Sequence, residues 1–201
     1  MTSPVGPPRF ETGEPDRNAD VARALLRLHA DSARYLDAIP TPEFFAAQGA
    51  KWSPAEHARH LHKSVRPLAA ALAIPRIVLW LRFGPHRGAS RTFAQMRDLY
   101  TSRLALGYVN NRYAPAHRDP PADTERWRRE IMSRWAASVD ALAGRVIQWE
   151  ERDADRYRLP HPLLGKLSVR EMLHFTLYHN AHHVRLVAER RNETTATMPG
   201  T

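Results

Sequence analysis

The stretch SVREMLHFTLYHNAHHVRLVAERR, residues 168–191, decides the fold, because it has the pattern of one long amphipathic helix. Ser168 and Glu171 are spaced as an N-terminal capping box, in which each side chain satisfies a free backbone N–H of the other residue. At about 100° per residue, one face of this helix collects Met172, Phe175, Thr176, His179, His183 and Leu186. We expect this face to lie against a core.

Two histidines of that face, His179 and His183, are four residues apart. Imidazoles at positions i and i+4 of a helix can bind one metal ion from the same side. In a chain with 11 histidines this spacing also arises by chance, so a purely structural role is the simpler interpretation of the pair alone. A third ligand from elsewhere in the chain is needed to favour a metal site.

The rest of the chain has helical periodicity over most of its length. The spacing of apolar residues predicts three more long helices and two short ones, at about 16–38, from 53 to a kink or end at Pro67 or Pro75, and at 77–83, 91–106 and 123–150. The segments 107–121 and 152–167 are predicted to be irregular connections, and no β-alternation of useful length is present. Four long amphipathic helices with long connections predict an all-α helical bundle.

The second long helix offers candidates for a third ligand. It begins with Ser-Pro-Ala-Glu at 53–56, which combines a capping box with proline at the first helical position. The apolar stripe of this helix is centred near Leu61 and Val65. His57 lies closer to the stripe, whereas His60 lies roughly 100° or more away from it. Spacing alone therefore favours His57.

The composition predicts one domain without disulfides. The chain has 201 residues and no cysteine, which excludes disulfides, thiolate zinc sites and a cysteine nucleophile. Its first residues lack the apolar region of a signal peptide, and no apolar run reaches the roughly 20 residues of a spanning helix. We expect a flexible arm over 1–15, one domain over 16–191 and a flexible tail over 192–201, in the cytoplasm and without a membrane partner.

The charge balance is strongly basic. The formal net charge is +9, with 30 basic and 21 acidic residues, and all but three of the basic residues are arginine. Nucleic-acid-binding proteins usually collect basic residues in one stripe with interleaved aromatic residues, or carry a known reading motif. Here arginine is present in every segment, so we do not expect a nucleic-acid partner.

Two motifs of the sequence resemble the DinB/YfiT-like family. One is Trp-Ser-Pro-Ala-Glu at 52–56, followed by His-Leu at 60–61. The other is His-Pro-Leu-Leu-Gly-Lys-Leu-Ser at 161–168, which leads into His-Asn-Ala-His-His at 179–183. The resemblance extends over most of the chain between residues 20 and 190. It implies a four-helix bundle with up-down-down-up order, here with an extra helix or helical insertion between the second and third bundle helices, and it implies a homodimer.

The resemblance also implies a metal site with three histidine ligands. Carried over residue by residue, these ligands are His60, His179 and His183, with His57 as the alternate to His60. A divalent ion, Zn²⁺ or Ni²⁺, is the expected cofactor. The sequence departs from the family pattern at the acidic position shortly after the second-helix histidine, where this chain has Lys63 or Ser64, and this puts carboxylate-assisted chemistry there in doubt.

The function implied by the resemblance is metal-dependent catalysis on a small-molecule substrate. The expected reactions are thiol-dependent transfer or isomerisation, with mycothiol or bacillithiol as examples of the thiol, or hydrolysis. Because the chain has no cysteine, any thiol has to come from a low-molecular-weight cosubstrate. The catalytic residues are unassigned, with His182 and Glu56 as candidates. The alternative is a non-catalytic, stress-associated bundle in which the metal or the dimer interface is structural.

Overall fold

Helices make up most of the molecule. The computed structural model describes residues 10–47, 49, 51–108 and 113–197. In chain order its elements are α1 (Asn18–Asp37), α2 (Thr41–Phe45), α3 (Pro54–Leu72), α4 (Arg76–Phe83), α5 (Phe93–Ala105), α6 (Thr124–Val146), α7 (Glu151–Arg156), β1 (Arg158–His161), β2 (Gly165–Ser168) and α8 (Val169–Thr197).

Four long helices, α1, α3, α6 and α8, form the bundle. Helix α6 packs against α3 and α1, while α8 packs against α1, α3 and the shorter α5. The indole of Trp135 on α6 is fully buried, and the core around it is built from the inward faces of all four long helices, including Leu25, Leu61, Leu142 and Leu173. The predicted all-α bundle is therefore confirmed, and α4 and α5 are the helical insertion between the second and third bundle helices.

The two bundle helices that carry the candidate ligands begin at the predicted caps. At the start of α3, Ser53 N–H donates to Glu56 Oε2 at 2.8 Å and Glu56 N–H donates to Ser53 Oγ at 3.2 Å. At the start of α8, the same pair of bonds joins Ser168 and Glu171, at 2.9 and 3.1 Å. Each capping box satisfies backbone donors that would otherwise be unpaired, and so fixes the first turn of its helix.

Proline divides the α3–α4 region where the sequence predicted a break. Pro67 lies inside α3, and the helix continues past it to Leu72. Pro75 then precedes α4, whose axis is bent by 108° from that of α3. No single described helix is long and apolar enough to cross a membrane. Helices α3 and α4 reach the necessary length and apolar composition only when they are taken together, across the bend.

Two local predictions were wrong. Helix α5 begins at Phe93 because Thr92, rather than Ser90, accepts the capping hydrogen bond, from Gln95 N–H. The connection predicted to be irregular over 152–167 contains helix α7 and most of the hairpin β1–β2. Strands of four residues are too short to show alternation in sequence, and β1 contains a proline. The hairpin leads directly into α8 and so sets where that helix starts.

Both described ends of the chain contact or extend the bundle. Phe10 is only 2% exposed, its ring packs edge-on against Tyr35, and Arg185 donates a hydrogen bond to its carbonyl oxygen. The flexible arm over 1–15 stays a prediction, and residues 1–9 of it lie outside the described residues. At the other end, α8 continues to Thr197, beyond the predicted start of the tail at residue 192. Residues 198–201 lie outside the described part, and the flexibility of the tail stays a prediction.

Candidate metal centre

Three histidines from two helices meet between α3 and α8. One ring nitrogen from each of His60, His179 and His183 lies within 4.8 Å of the other two. Nε2 of His179 is 3.1 Å from Nε2 of His60 and 3.1 Å from Nε2 of His183. The predicted convergence of one α3 histidine with the α8 pair is therefore present, and we call these residues the three-His group.

The three-His group is buried and neutral. Its side chains are 6–8% exposed. Burial lowers the pKa of His179 and His183 well below the ordinary value of 6.5, and the neighbouring histidines lower it further because one charged ring opposes another. Burial also lowers the pKa of His60, outweighing the hydrogen bond that it makes. Neutral imidazoles have a free lone pair, which is the form that binds a metal ion.

The ring of His60 is oriented by the backbone after α5. Its Nδ1–H donates to the carbonyl oxygen of Tyr113 at 2.9 Å, which leaves the lone pair on Nε2, the atom that faces His179. A ligand histidine is usually fixed in this way, by a hydrogen bond from its other ring nitrogen. Lys63 supports the same segment, since its Nζ donates to Ala114 O at 3.2 Å.

The separations between the ring nitrogens fit a small divalent ion. Zinc–nitrogen bonds of about 2.05 Å in a tetrahedral site place neighbouring ligand atoms about 3.3 Å apart. The two measured separations, each 3.1 Å, are close to this value. In addition, Nδ1 of His179 is buried without a hydrogen-bond partner among the described residues. Three neutral nitrogen donors form a ligand set that suits Zn²⁺ and Ni²⁺.

Aromatic rings enclose the three-His group on two sides. The indole of Trp52 stacks on His183, with 11° between the ring planes, and its centroid is 5.0 Å from that of His60. On the other side, Phe175 stacks on His179 and Tyr100 meets the same ring edge-on. These apolar surfaces restrict the rotation of the imidazoles and lower the local dielectric, which strengthens electrostatic interactions in the site.

The structure leaves His57 outside the three-His group. Its Nδ1 lies 2.9 Å from Nδ1 of His183, the ring nitrogen on the side away from His179. Its Nε2 accepts a hydrogen bond from Nη1 of Arg190 at 3.1 Å. Burial and, next in size, the Arg190 charge lower the pKa of His57 to about 3. His57, which spacing alone favoured as the ligand, therefore lies behind His183 and contacts it from there.

The other candidate residues have different surroundings. The carboxylate of Glu56 accepts the capping hydrogen bond of α3 and lies 3.3 Å from Nδ1 of His117, so its oxygens are already engaged. Asn180, which follows His179 in the sequence, accepts a hydrogen bond from the indole of Trp135. His182 is half-buried and stacks on Tyr178.

Three contributors to the site were missed in the sequence. Trp52 belongs to the motif that contains His60, but the sequence analysis gave its side chain no role in the site. Arg190 lies seven residues after His183, two turns along the same face of α8, and this spacing was the available signal. Tyr113 contributes a backbone carbonyl oxygen to the site, and a pattern of side chains cannot predict which backbone oxygen lies near a histidine.

Comparison with known proteins assigns the chain to a family. No curated protein and no solved structure matches it. The family model described as DinB superfamily matches residues 24–187, which includes both helices of the three-His group and the all-α bundle that positions them. The match extends over much more than half of the chain. The protein therefore belongs to the DinB superfamily.

Proposed function

We propose that this protein is a divalent-metal-dependent enzyme that acts on a small-molecule substrate, with His60, His179 and His183 as the metal ligands. One observation carries the proposal: three buried imidazoles, two from α8 and one from α3 at least 119 positions earlier in the sequence, bring a nitrogen each to one point. Zn²⁺ or Ni²⁺ is the ion that this donor set favours. The family assignment also supports the proposal, and so do the separations between the ring nitrogens, which are close to those of a tetrahedral zinc site.

A divalent ion in such a site supplies Lewis acidity and lowers the pKa of a bound water or thiol. The residues of the chain determine which groups can join it. Because His60, His179 and His183 are neutral, they would leave the charge of a bound ion uncompensated, which would favour an anionic substrate group such as a thiolate. Tyr113 O and the rings of Trp52 and Phe175 hold the imidazole rings in position, so the rings themselves need to move little on binding.

Between the two expected reaction classes, we favour thiol-dependent transfer or isomerisation over hydrolysis. A thiolate is already a strong nucleophile, whereas an attacking water usually needs a nearby general base. Glu56 has its oxygens engaged elsewhere, and Lys63 stands where the family pattern has an acid. The thiol would come from a low-molecular-weight cosubstrate, since the chain has no cysteine. His182, at the edge of the site, is the residue best placed to exchange protons with a substrate.

The alternative is a non-catalytic bundle in which the ion is structural. The burial of the three-His group favours this alternative, because structural metal sites are closed and catalytic sites keep a ligand position open. Removal of a structural ion lowers the melting temperature sharply, since the binding free energy is then part of the folding free energy. Loss of an open catalytic ion changes the melting temperature little.

The first experiment measures metal content. We expect the purified protein to bind about one equivalent of Zn²⁺ or Ni²⁺ by elemental analysis, as one three-His group allows. His60→Ala, His179→Ala and His183→Ala should each lower the affinity for Zn²⁺ by at least about 100-fold, measured by competition with a chromophoric chelator. His182→Ala is the matched control, on the same helix and next to a ligand, and should bind as the wild type does. Unchanged zinc binding by His60→Ala would refute the ligand assignment.

The second experiment separates an enzyme from a metal-stabilised bundle. The metal-loaded protein is incubated with a panel of low-molecular-weight thiols and electrophilic acceptors, and with ester and amide substrates. We expect turnover of a thiol–acceptor pair that is lost with a chelator and in His179→Ala. Absence of metal-dependent turnover, combined with a large fall in melting temperature on chelation, would instead establish the non-catalytic alternative.

A further inference from the structure

A chain of hydrogen bonds connects the end of α8 to the three-His group. Nη1 of Arg190 lies 3.1 Å from Nε2 of His57, and Nδ1 of His57 lies 2.9 Å from Nδ1 of His183. On the other side of its ring, Nε2 of His183 lies 3.1 Å from Nε2 of His179. We call Arg190, His57 and His183 the relay. Its hydrogen positions can be assigned from its first member.

The guanidinium of Arg190 fixes the direction of every bond in the relay, because it can only donate. Nε2 of His57 therefore accepts, and the hydrogen of this imidazole lies on Nδ1. That N–H donates to Nδ1 of His183, so His183 carries its own hydrogen on Nε2. This second N–H points at Nε2 of His179, which accepts it. The nitrogen that His183 presents to the three-His group is therefore blocked by a hydrogen.

The other two members of the three-His group are in the opposite tautomer, with the hydrogen on Nδ1 rather than on Nε2. His60 donates its hydrogen to Tyr113 O, so its Nε2 has a free lone pair. His179 accepts from His183 at Nε2, which puts its hydrogen on Nδ1, the atom without a partner among the described residues. Two of the three nitrogens are thus ready to bind a cation, and one is held in the wrong tautomer.

We propose that Arg190, acting through His57, holds His183 in a tautomer that cannot bind the metal ion, so that metal uptake requires Arg190 to leave His57. The inference rests on the proposed metal-binding function. For His183 to bind a cation, its hydrogen moves from Nε2 to Nδ1. His57 then accepts at Nδ1 and carries its hydrogen on Nε2. No proton is gained or lost overall, but two N–H groups, from His57 and Arg190, would point at each other.

The position of Arg190 links the relay to the loop that covers the site. It is in the last turns of α8, and its guanidinium also lies 3.5 Å from the carbonyl oxygen of Trp52, the residue whose ring stacks on His183. The side chain therefore contacts the relay and the loop that covers the site. Arg190 and His57 are positioning residues, because neither belongs to the group of nitrogens that would hold the ion.

The test compares two substitutions that remove the same charge from α8. Arg190→Gln replaces a donor by an amide whose oxygen accepts from His57 Nε2–H, and so permits the metal-binding tautomer. Arg185→Gln is the matched control, since Arg185 lies on the same helix and donates to Phe10 O instead. Arg190→Lys keeps both the charge and the donor. We expect the Zn²⁺ affinity to rise about tenfold in Arg190→Gln and to change little in the other two variants.

A second measurement reads the tautomer directly, without metal. Long-range ¹H–¹⁵N NMR spectra of the metal-free protein should place the hydrogen of His183 on Nε2 in the wild type and on Nδ1 in Arg190→Gln. A hydrogen on Nδ1 in the metal-free wild type, or equal Zn²⁺ affinities for Arg190→Gln and Arg185→Gln, would overturn the proposal. If the relay has the expected tautomer and neither the wild type nor Arg190→Gln binds Zn²⁺, then the proposed function fails, and control of metal uptake fails with it.

Discussion

The surroundings of single side chains set their protonation, and the half-buried His161 is an example outside the three-His group. Its Nδ1 accepts two backbone hydrogen bonds in the turn between β1 and β2, from Leu163 at 3.2 Å and Leu164 at 3.0 Å. Partial burial lowers the pKa of His161 to about 4. Both facts have the same consequence, since protonation would bring charge into a partly desolvated site and remove the acceptor of both bonds.

This gives a prediction for the pH dependence of stability. Between about pH 6.5 and pH 4 the unfolded chain binds a proton at His161 that the folded chain does not, so the free energy of unfolding falls as the pH falls through this range. The contribution is about 1.4 kcal/mol per pH unit. In His161→Asn, where the amide oxygen can accept the same bonds, we expect the fall of the free energy of unfolding to be shallower by about that amount.

Urea denaturation of the metal-free protein at several pH values measures this slope. The control is His117→Asn, because the His117 side chain is 70% exposed and makes no bond in the hairpin turn. A slope for His161→Asn equal to that of the wild type would contradict the prediction, because it would mean that His161 has the same pKa in the folded and the unfolded chain.

Individual elements depend on their caps to different degrees, and α8 has the most deeply buried cap. Ser168 is fully buried and belongs to the capping box of α8, and its Oγ is also 2.7 Å from Oγ of Ser90 in the loop before α5. A second set of hydrogen bonds joins this loop to α8: Arg91 donates to the carboxylate of Glu171 from its backbone N–H and from its guanidinium. The cap of α8 thus also holds the helical insertion against the bundle.

We expect Ser168→Ala to lower the free energy of unfolding by about 2 kcal/mol, at the upper end of the range for loss of an N-cap, because a second hydrogen bond is lost with it. Thr92→Ala provides the comparison, since the capping box of Thr92 and Gln95 on α5 is exposed, and no described residue bonds the Thr92 hydroxyl as Ser90 bonds that of Ser168. We expect Thr92→Ala to lower the free energy of unfolding by about 0.5–1 kcal/mol. Urea denaturation of both variants measures the difference. Equal losses would show that the contact with Ser90 contributes nothing.

At the scale of the whole molecule, the positive charge is concentrated and not evenly spread, which corrects the sequence interpretation. Residues 57–97 contain eight arginine or lysine residues and no acidic residue, so the remaining chain is nearly balanced. Acids from elsewhere compensate part of this segment: Asp153 pairs with Arg76 at 2.7 Å and Glu171 with Arg91 at 2.9 Å. Absence of nucleic-acid binding stays a prediction, which a salt titration of DNA affinity tests.

The homodimer implied by the family resemblance also stays a prediction, and α4 indicates where to test it. Its exposed face carries apolar side chains one helical turn apart, since Ile77 is 61% exposed and Leu81 is 71% exposed. A contiguous exposed apolar patch of this kind is typical of an interaction surface. If two copies meet through α4, Ile77→Asp should convert a dimer to a monomer in light scattering after size-exclusion chromatography.

The matched control for that substitution is Leu26→Asp, because Leu26 is 41% exposed and lies on α1, which packs against α6 and α8. It should leave the molar mass unchanged. A wild-type protein that is monomeric at all tested concentrations would refute the dimer, and loss of the dimer in both variants would assign the effect to added charge rather than to the α4 surface.

The sequence alone determined the helices, the caps of α3 and α8, and the histidine pair on α8, because these depend on contacts within one or two turns. It also contained the motif that includes His60, although periodicity favoured His57, which lies outside the three-His group. Periodicity gives only the angle of a side chain around its own helix axis. Tertiary structure alone decided where α8 lies relative to α3, and so placed His60 against His179, His57 behind His183 and Arg190 against His57. These contacts join residues 119 to 133 positions apart, and their geometry depends on the packing of the helices rather than on any local pattern.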